Sequence, residues 1–216
     1  MGMIKRYGMI VILEHWLVAI SGIGLIFTGL GCLPLFKRYY ISEIYGLKWT
    51  EDFHIVTQLH YIFAVFFMYT VLFHVFFHLI RREFGLLPKK GDLGRAVKMI
   101  FASFGIGKEP KADKWLPEQR WAYVLFGIVI FFVSSTGMLK VLKNLEWVLF
   151  HPETESFLNL LHTISGGIFI LFFVVHVLFV LVVKANWPLL KAIFTGKVKE
   201  EYAKRRHPIW YEREKS

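Results

Sequence analysis

The dominant pattern in the chain is four long runs of apolar residues separated by polar stretches. The runs extend over approximately residues 8–33, 54–80, 119–142 and 157–183. A helix needs about 20 apolar residues to cross the hydrocarbon core of a bilayer, and each run reaches that length. Backbone polar groups inside a bilayer must be satisfied internally, so such runs predict helices, here spans I to IV. The pattern therefore predicts an all-α integral membrane protein, a four-transmembrane-helix bundle forming a single domain over residues 1–216.

Shorter amphipathic patterns lie outside the spans. One of them begins at Asp92. We expect a helix there, capped by Asp92, that lies on the cytoplasmic surface of the membrane. A polar linker is expected over 105–114, and the tail 184–216 is expected to hold interfacial residues near 187–194 followed by a solvated basic segment. The apolar face of the amphipathic helix would consist of Leu93, Val97, Ile100, Phe101 and Phe104, opposite Arg95 and Lys98.

Composition and charge support a membrane protein and give it an orientation. A hydrophobic content of 56% is too high for an ordinary soluble domain of this size. The chain has 26 Lys and Arg residues, and twenty-one of them lie before span I, in the II–III connection (counting Arg120) or after span IV. Only five lie in the I–II and III–IV loops. By the positive-inside rule, both termini and that connection lie in the cytoplasm of a bacterium, with the protein in its inner membrane. The net charge of +10 is thus an orientation and lipid-contact signal, and we expect no nucleic acid.

The cysteine content limits the cofactors. Cys32 is the only cysteine, so the chain has no internal disulfide and no motif for covalent haem attachment. Any haem must be bound non-covalently as haem b. Any iron–sulfur cluster must belong to a partner subunit.

Two of the spans carry histidines at the same spacing. His60 and His74 lie fourteen residues apart in span II, and His162 and His176 lie fourteen apart in span IV. Fourteen helical residues rise about 21 Å and return to within about 40° of the starting direction. Each span therefore presents two imidazoles on one face, one toward each side of the membrane.

Ionisable groups at membrane depth are functional candidates, and imidazole is a common axial ligand of haem iron. The predicted orientation places His60 and His162 together at the outer level, as the ligands of one haem b. At the inner level His176 would be joined by either His15 of span I or His74. The pattern thus predicts two b haems. A haem-free membrane anchor or a proton-relay transporter is the alternative from a different class, but a relay does not require histidines at matched depths.

The other ionisable groups near the spans have simpler interpretations. His78 lies four residues beyond His74, and snorkelling to the interface would account for it. His54 is expected in a loop. Glu14 and Glu118 are expected at the interfacial surface, although either could carry protons from the cytoplasm.

Several motifs support a family resemblance that runs nearly end to end. The chain closely resembles the cytochrome b (gamma) subunit of respiratory membrane-bound formate dehydrogenases, complexes of anaerobic respiration. Related cytochrome b subunits of nickel–iron hydrogenases share the histidines of spans I, II and IV, so the tail is the more specific part. The shared residues are His15-Trp16, His60, Gln119-Arg120, Thr136-Gly137, His162, His176, Gly196-Lys197-Val198, Ala203-Lys204 and His207-Pro208-x-Trp210-Tyr211.

The resemblance implies more than the spacing does. It implies His15, not His74, as the ligand opposite His176, and a menaquinone pocket that uses Gln119 beside the inner haem. Where the family has Asn-x-Gly-Gln, this chain has Leu116-Pro117-Glu118-Gln119 and shares only the glutamine.

The resemblance also implies the partners. An iron–sulfur subunit on the outer face would deliver electrons that cross the membrane to the quinone. Substrate oxidation would take place in a molybdenum or tungsten catalytic subunit, so no catalytic residue is expected in this chain. The alternative is the cytochrome b subunit of a hydrogenase or of another molybdopterin oxidoreductase.

Overall fold

The computed structural model describes residues 2–215, and these residues form two compact units. The first unit is Ile10–Arg82, and the second comprises residues 2–9 and 83–215. The elements in chain order are β1 Met3–Lys5, α1 Met9–Cys32, α2 Leu35–Arg38, α3 Phe53–Arg81, α4 Asp92–Ser103, α5 Pro117–Asn144, α6 Pro152–Val182, α7 Trp187–Thr195, β2 Lys197–Lys199, α8 Glu200–Arg206 and α9 Pro208–Lys215, with 3₁₀ turns at Ile41–Glu43, Lys48–Glu51 and Lys184–Asn186.

Four of these helices, α1, α3, α5 and α6, are long and apolar enough to cross a membrane. They coincide with spans I to IV, and the prediction of an all-α membrane protein with four transmembrane helices is confirmed. The largest boundary difference is at α6, which begins at Pro152, five residues before the predicted start. Proline has no N–H to leave unsatisfied, and its fixed φ suits the first turn of a helix.

In the first unit α1 and α3 pack closely through glycines. A Cβ at Gly24 would lie 2.5 Å from the ring of Phe63, and one at Gly31 would lie 2.9 Å from Val56. Both positions favour glycine, because a side chain at either one would displace the α3 side chain that lies against it.

The start of α3 is fixed by a side-chain cap. Asp52 accepts hydrogen bonds from the backbone N–H groups of His54 (2.9 Å) and Ile55 (3.2 Å). His54 therefore lies in the first helical turn, not in the loop where it was expected, and its ring contacts Gln58.

In the second unit, the predicted amphipathic helix forms as α4. Its predicted apolar face is exposed, as expected of a helix that meets a membrane surface, while Ala96 and Met99 are buried against the protein. Asp92 does not cap the helix as expected, because Gly91 with φ 81° is the N-cap residue. The Asp92 carboxylate instead accepts from the Lys89 N–H and pairs with Arg120 of α5 at 3.1 Å.

The tail beyond residue 194 is not the solvated segment that was expected. It folds with the N-terminus into what we call the C-terminal cap, formed by β1, β2 and α7–α9. β1 and β2 pair antiparallel, and Trp210 is only 1% exposed. The buried Arg6 guanidinium lies over the rings of Trp210 (5.1 Å) and Trp115 (5.9 Å). The linker expected over 105–114 is likewise not purely polar, since Ala112 is buried.

The cap also encloses His207. Its ring is fully buried, and its Nδ1–H donates to the backbone carbonyl of Asp113 at 2.8 Å. Burial and the neighbouring charges of Arg6 and Arg206 lower the pKa of His207 to about 3, so the ring is neutral. The tail motif that supports the family resemblance therefore has a structural role.

Candidate functional site

His60 of α3 is oriented by a threonine of α1. The Thr28 hydroxyl lies 2.7 Å from the carbonyl of Gly24 in its own helix and 2.9 Å from Nδ1 of His60. A hydroxyl has one proton, and Thr28 donates it to the carbonyl, so its oxygen accepts from Nδ1–H. This tautomer carries its lone pair on Nε2, the nitrogen that can bind a metal.

His162 of α6 is oriented in the same way by α5. The Thr136 hydroxyl donates to the carbonyl of Phe132 at 2.7 Å and lies 3.0 Å from Nδ1 of His162. Thr136 and Thr28 are both almost fully buried. Each unit therefore contains one histidine whose Nδ1 proton is held by a buried threonine on the neighbouring helix. We call this region of each helix pair the threonine end.

A glycine follows each of these threonines and lies against the histidine ring. A Cβ at Gly29 would lie 3.5 Å from Cε1 of His60, and a Cβ at Gly137 would lie 3.2 Å from Cε1 of His162. The Thr-Gly pair thus supplies a hydroxyl to one edge of the imidazole and leaves room for its Cε1 edge.

The histidines at the opposite end of each pair have different surroundings. His74 Nδ1 lies 3.2 Å from Oε2 of Glu14, and both residues belong to the first unit. His15, also in the first unit, is half-buried with its ring edge toward Trp16. His176 in the second unit is exposed on α6. The predicted pairs each join one histidine from each unit, so the pairing of His60 with His162 and of His15 with His176 stays a prediction.

The structure adds a group at this opposite end that the sequence did not predict. Glu14, His74 and His78 bring one oxygen and two nitrogens within 4.8 Å of one another. Glu14 is only 6% exposed, so the expectation of a surface carboxylate was wrong. His78 does not simply snorkel, because its Nε2 lies 3.7 Å from Glu14 and its ring packs on His74. The i, i+4 spacing of the two histidines was the available signal, but Glu14 could join them only through the packing of α1 on α3.

Comparison with protein families identifies the class of protein. Residues 6–196 match the model of the prokaryotic cytochrome b561 family, which covers most of the chain. The chain belongs to that family. Among curated proteins, none matches the chain. The match is consistent with the expected relation to hydrogenase-type cytochromes b, and it ends before the tail motif at His207.

Membership of the cytochrome b561 family implies haem b and electron transfer in a membrane redox complex. The structure has suitable residues for this cofactor. His60 and His162 each have Nδ1 hydrogen-bonded to a threonine, which is also the usual arrangement of a histidine that binds a metal through Nε2. Covalent attachment is excluded by the lack of a suitable cysteine pair, since Cys32 stands alone.

The beginning of α5, where the resemblance implies a quinone, has a defined structure. The side-chain oxygen of Gln119 accepts from the backbone N–H of Leu116 at 3.1 Å and so holds the first turn. Arg120 is buried, and its Nε donates to the carbonyl of Gly85 at 3.1 Å. Glu118 is buried as well, which corrects the expectation of a surface residue, and its carboxylate oxygens have no hydrogen-bond partner among the described residues.

Proposed function

We propose that this cytochrome is the dihaem membrane subunit of a formate dehydrogenase complex, passing electrons from an iron–sulfur partner to a quinone such as menaquinone. The observation that carries the proposal is the repeated threonine–histidine pair, Thr28 with His60 and Thr136 with His162. The histidines of the two pairs lie on different membrane helices, and each is followed fourteen residues later by another histidine, which suits two cofactors at two depths.

The four residues proposed to hold the haems are His60 with His162 for the outer haem and His15 with His176 for the inner one. Haem b supplies reversible one-electron chemistry when bound. The chain holds each imidazole at a set depth, and at the threonine ends it also fixes the tautomer that leaves Nε2 for iron. The contact of His74 with Glu14 supports His15 over His74, because His74 already has an acidic partner within its own unit.

The proposed quinone site lies at the start of α5. Gln119 is the residue shared with the formate dehydrogenase family, and the buried Glu118 beside it is an ionisable group that supports proton uptake by a quinone in this region. The distribution of Lys and Arg supports a cytoplasmic position for this region and for both termini, in the bacterial inner membrane.

The partners proposed are an iron–sulfur subunit and a molybdenum or tungsten catalytic subunit. The tail motif from Gly196 to Tyr211 supports the formate dehydrogenase assignment. Its folded state in the C-terminal cap gives those residues a role in the protein's architecture, with His207 and Trp210 both buried.

The test of the haem assignment is haem content and redox titration of the purified protein beside the His15→Ala and His74→Ala variants. We expect two b haems in the wild type, one in His15→Ala and two in His74→Ala. Loss of a haem in His74→Ala only would move the inner site to α3. Wild-type protein without haem would end the proposal.

The test of the partner uses native membranes of the source organism. We expect formate to reduce the b haem of this subunit, and a tagged subunit to carry molybdenum or tungsten with iron and sulfide. Reduction by hydrogen and not by formate, with nickel in the purified complex, would support instead a hydrogenase cytochrome b, the second candidate favoured by the family match.

A further inference from the structure

The cluster of Glu14, His74 and His78 lies wholly within the first unit and includes none of the four proposed haem ligands. His74 and His78 are one helical turn apart on α3, and their ring centroids lie 4.4 Å from one another. Two histidines at i and i+4 form the helical half of many zinc sites. Glu14 of α1 supplies the carboxylate from the facing helix.

The distances match those of a metal site. Glu14 Oε2 lies 3.2 Å from Nδ1 of His74 and 3.7 Å from Nε2 of His78. Ligands about 2.0–2.2 Å from a tetrahedral ion are separated by about 3.3–3.6 Å. The two separations from Glu14 bracket this range, and all three ligand atoms lie within 4.8 Å of one another.

Hydrogen bonds alone do not complete this arrangement. The separation of His78 from Glu14 is longer than a hydrogen bond, and both imidazoles face the same carboxylate oxygen. The other oxygen, Oε1, is buried without a hydrogen-bond partner among the described residues. A buried carboxylate at membrane depth is stabilised by a positive partner, and a divalent cation bound by the three side chains would supply one.

We propose that Glu14, His74 and His78 form a binding site for a divalent transition-metal ion of the zinc type, which joins α1 to α3. Two imidazoles and one carboxylate are the ligands of many zinc sites, and they disfavour Mg²⁺ and Ca²⁺, which prefer oxygen. Three protein ligands leave a fourth position for water. The site is independent of the proposed electron-transfer function, because its three side chains are not proposed to bind haem.

The test uses the haem-loaded protein, purified in detergent with a histidine-free affinity tag and stripped with a chelator. Equilibrium dialysis against ZnCl₂ with elemental analysis gives the stoichiometry and affinity. X-ray absorption at the zinc edge gives the ligands and is not affected by haem iron. We expect one tight Zn²⁺ per chain, with two imidazole nitrogens at about 2.0–2.1 Å and carboxylate oxygen at about 2.0–2.2 Å.

The main variant is His78→Ala, which removes one ligand and leaves the proposed haem ligands intact. Removing a direct ligand should weaken Zn²⁺ binding on the order of 100-fold or more, at least as much as changes around a metal site do. Glu14→Gln should do the same. His54→Ala is the matched control, because this histidine also lies on α3 but at its opposite end. Haem content unchanged in all variants shows that each is folded.

Equal Zn²⁺ affinity in wild type, His78→Ala and Glu14→Gln would overturn the proposal, since binding would then be elsewhere on the surface. An edge spectrum showing sulfur or only oxygen ligands would overturn it too. So would wild-type protein that binds no Zn²⁺ at 100 µM free metal. None of these results would alter the haem count, so a failure here is distinguishable from a failure of the proposed function.

Discussion

The two helix pairs, α1 with α3 and α5 with α6, are alike at their threonine ends. In each pair a buried Thr-Gly on the first helix meets a histidine on the second, with hydroxyl-to-Nδ1 distances of 2.9 and 3.0 Å. Both pairs are antiparallel, and each keeps a constant register along its length. In the first pair this is shown by the contacts Thr28–His60 and Glu14–His74. In the second pair it is shown by Thr136–His162 and Lys143–Glu155. What the two pairs share is therefore a threonine that orients the imidazole of a histidine on the facing helix.

The pairs differ fourteen residues away from the threonine ends. The first pair has Glu14 facing His74, and the matching positions of the second pair are Ala122 and His176. The next turn has His78 in α3 and Val180 in α6. The first pair has thus gained a polar cluster at the end where the second pair has only a histidine. The two helix pairs are therefore not chemically equivalent at these ends, and their histidines should respond differently to substitution.

The largest expected effect comes from removing the histidine at either threonine end. His60→Ala and His162→Ala should each lower the haem content from two to one per chain, because a bis-histidine haem loses an axial ligand in either variant. The double variant should also retain one haem, since both histidines are proposed to hold the same one. Haem extraction with protein quantification measures this. Loss of both haems in the double variant would show that His60 and His162 belong to different haems.

The second prediction concerns the stability of the C-terminal cap at acidic pH, which depends on His207. The pKa of the buried His207 is lowered to about 3 from an ordinary value of 6.5. Between these values the unfolded chain binds a proton that the folded cap does not, so stability is full above about pH 6.5 and falls as the pH is lowered. The loss should approach about 1.4 kcal/mol per pH unit in that window.

Limited proteolysis of the tail as a function of pH measures this effect. His207→Asn keeps a donor near the Asp113 carbonyl and should flatten the pH dependence between pH 4 and 6.5. The matched control, His54→Asn on α3, should leave the dependence as in the wild type. A wild-type tail equally resistant at pH 4.5 and pH 7 would contradict the prediction.

The sequence predicted the four spans because apolar length alone decides whether a segment can cross a bilayer. It also singled out His60 and His162 as haem-ligand candidates, since their fourteen-residue spacing to a second histidine fits helix geometry, and that role stays a prediction. It did not predict the threonines, because Thr136 in an apolar helix reads equally well as a small packing residue. The contact with His162 becomes visible only once the antiparallel register of α5 and α6 is known.

The C-terminal cap was missed for a different reason. Its elements are short, and they are stabilised by partners far away in sequence, such as β1 with β2 and Arg6 with Trp210. Segments this short do not show a hydrophobic periodicity that would predict a helix or a strand, and a basic composition suggests solvent exposure. The buried Glu14 was missed because a carboxylate near the end of a span is usually at the interface, and its partners come from another helix.

The third prediction concerns the two glycines at the threonine ends. Gly137→Ala would place a Cβ 3.2 Å from His162, closer than ordinary contact, whereas Gly29→Ala would place it 3.5 Å from His60. We expect Gly137→Ala to displace the His162 ring at a cost of about 1 kcal/mol or more. Gly29→Ala should be neutral or slightly stabilising, because alanine favours helix. Thermal unfolding followed by the Soret band compares the two, and equal midpoints would contradict this difference.

The smallest effect tests whether the two threonines act on one haem. Thr28→Val and Thr136→Val keep the shape but remove the acceptor of Nδ1–H, which makes each imidazole a weaker electron donor and destabilises the oxidised iron. A lost hydrogen bond of about 1 kcal/mol corresponds to a rise of roughly 40 mV in a one-electron midpoint potential.

Redox titration of the purified protein measures this shift, and Thr28→Ser and Thr136→Ser, which keep the hydroxyl, are the controls. Because His60 and His162 are proposed to share a haem, both valine variants should raise the same one of the two potentials, and the double variant should raise it by about the sum. If each valine variant raised a different potential, the threonine ends would serve two separate haems. In that case the inner partners of the two haems would have to be assigned anew, beginning with His15.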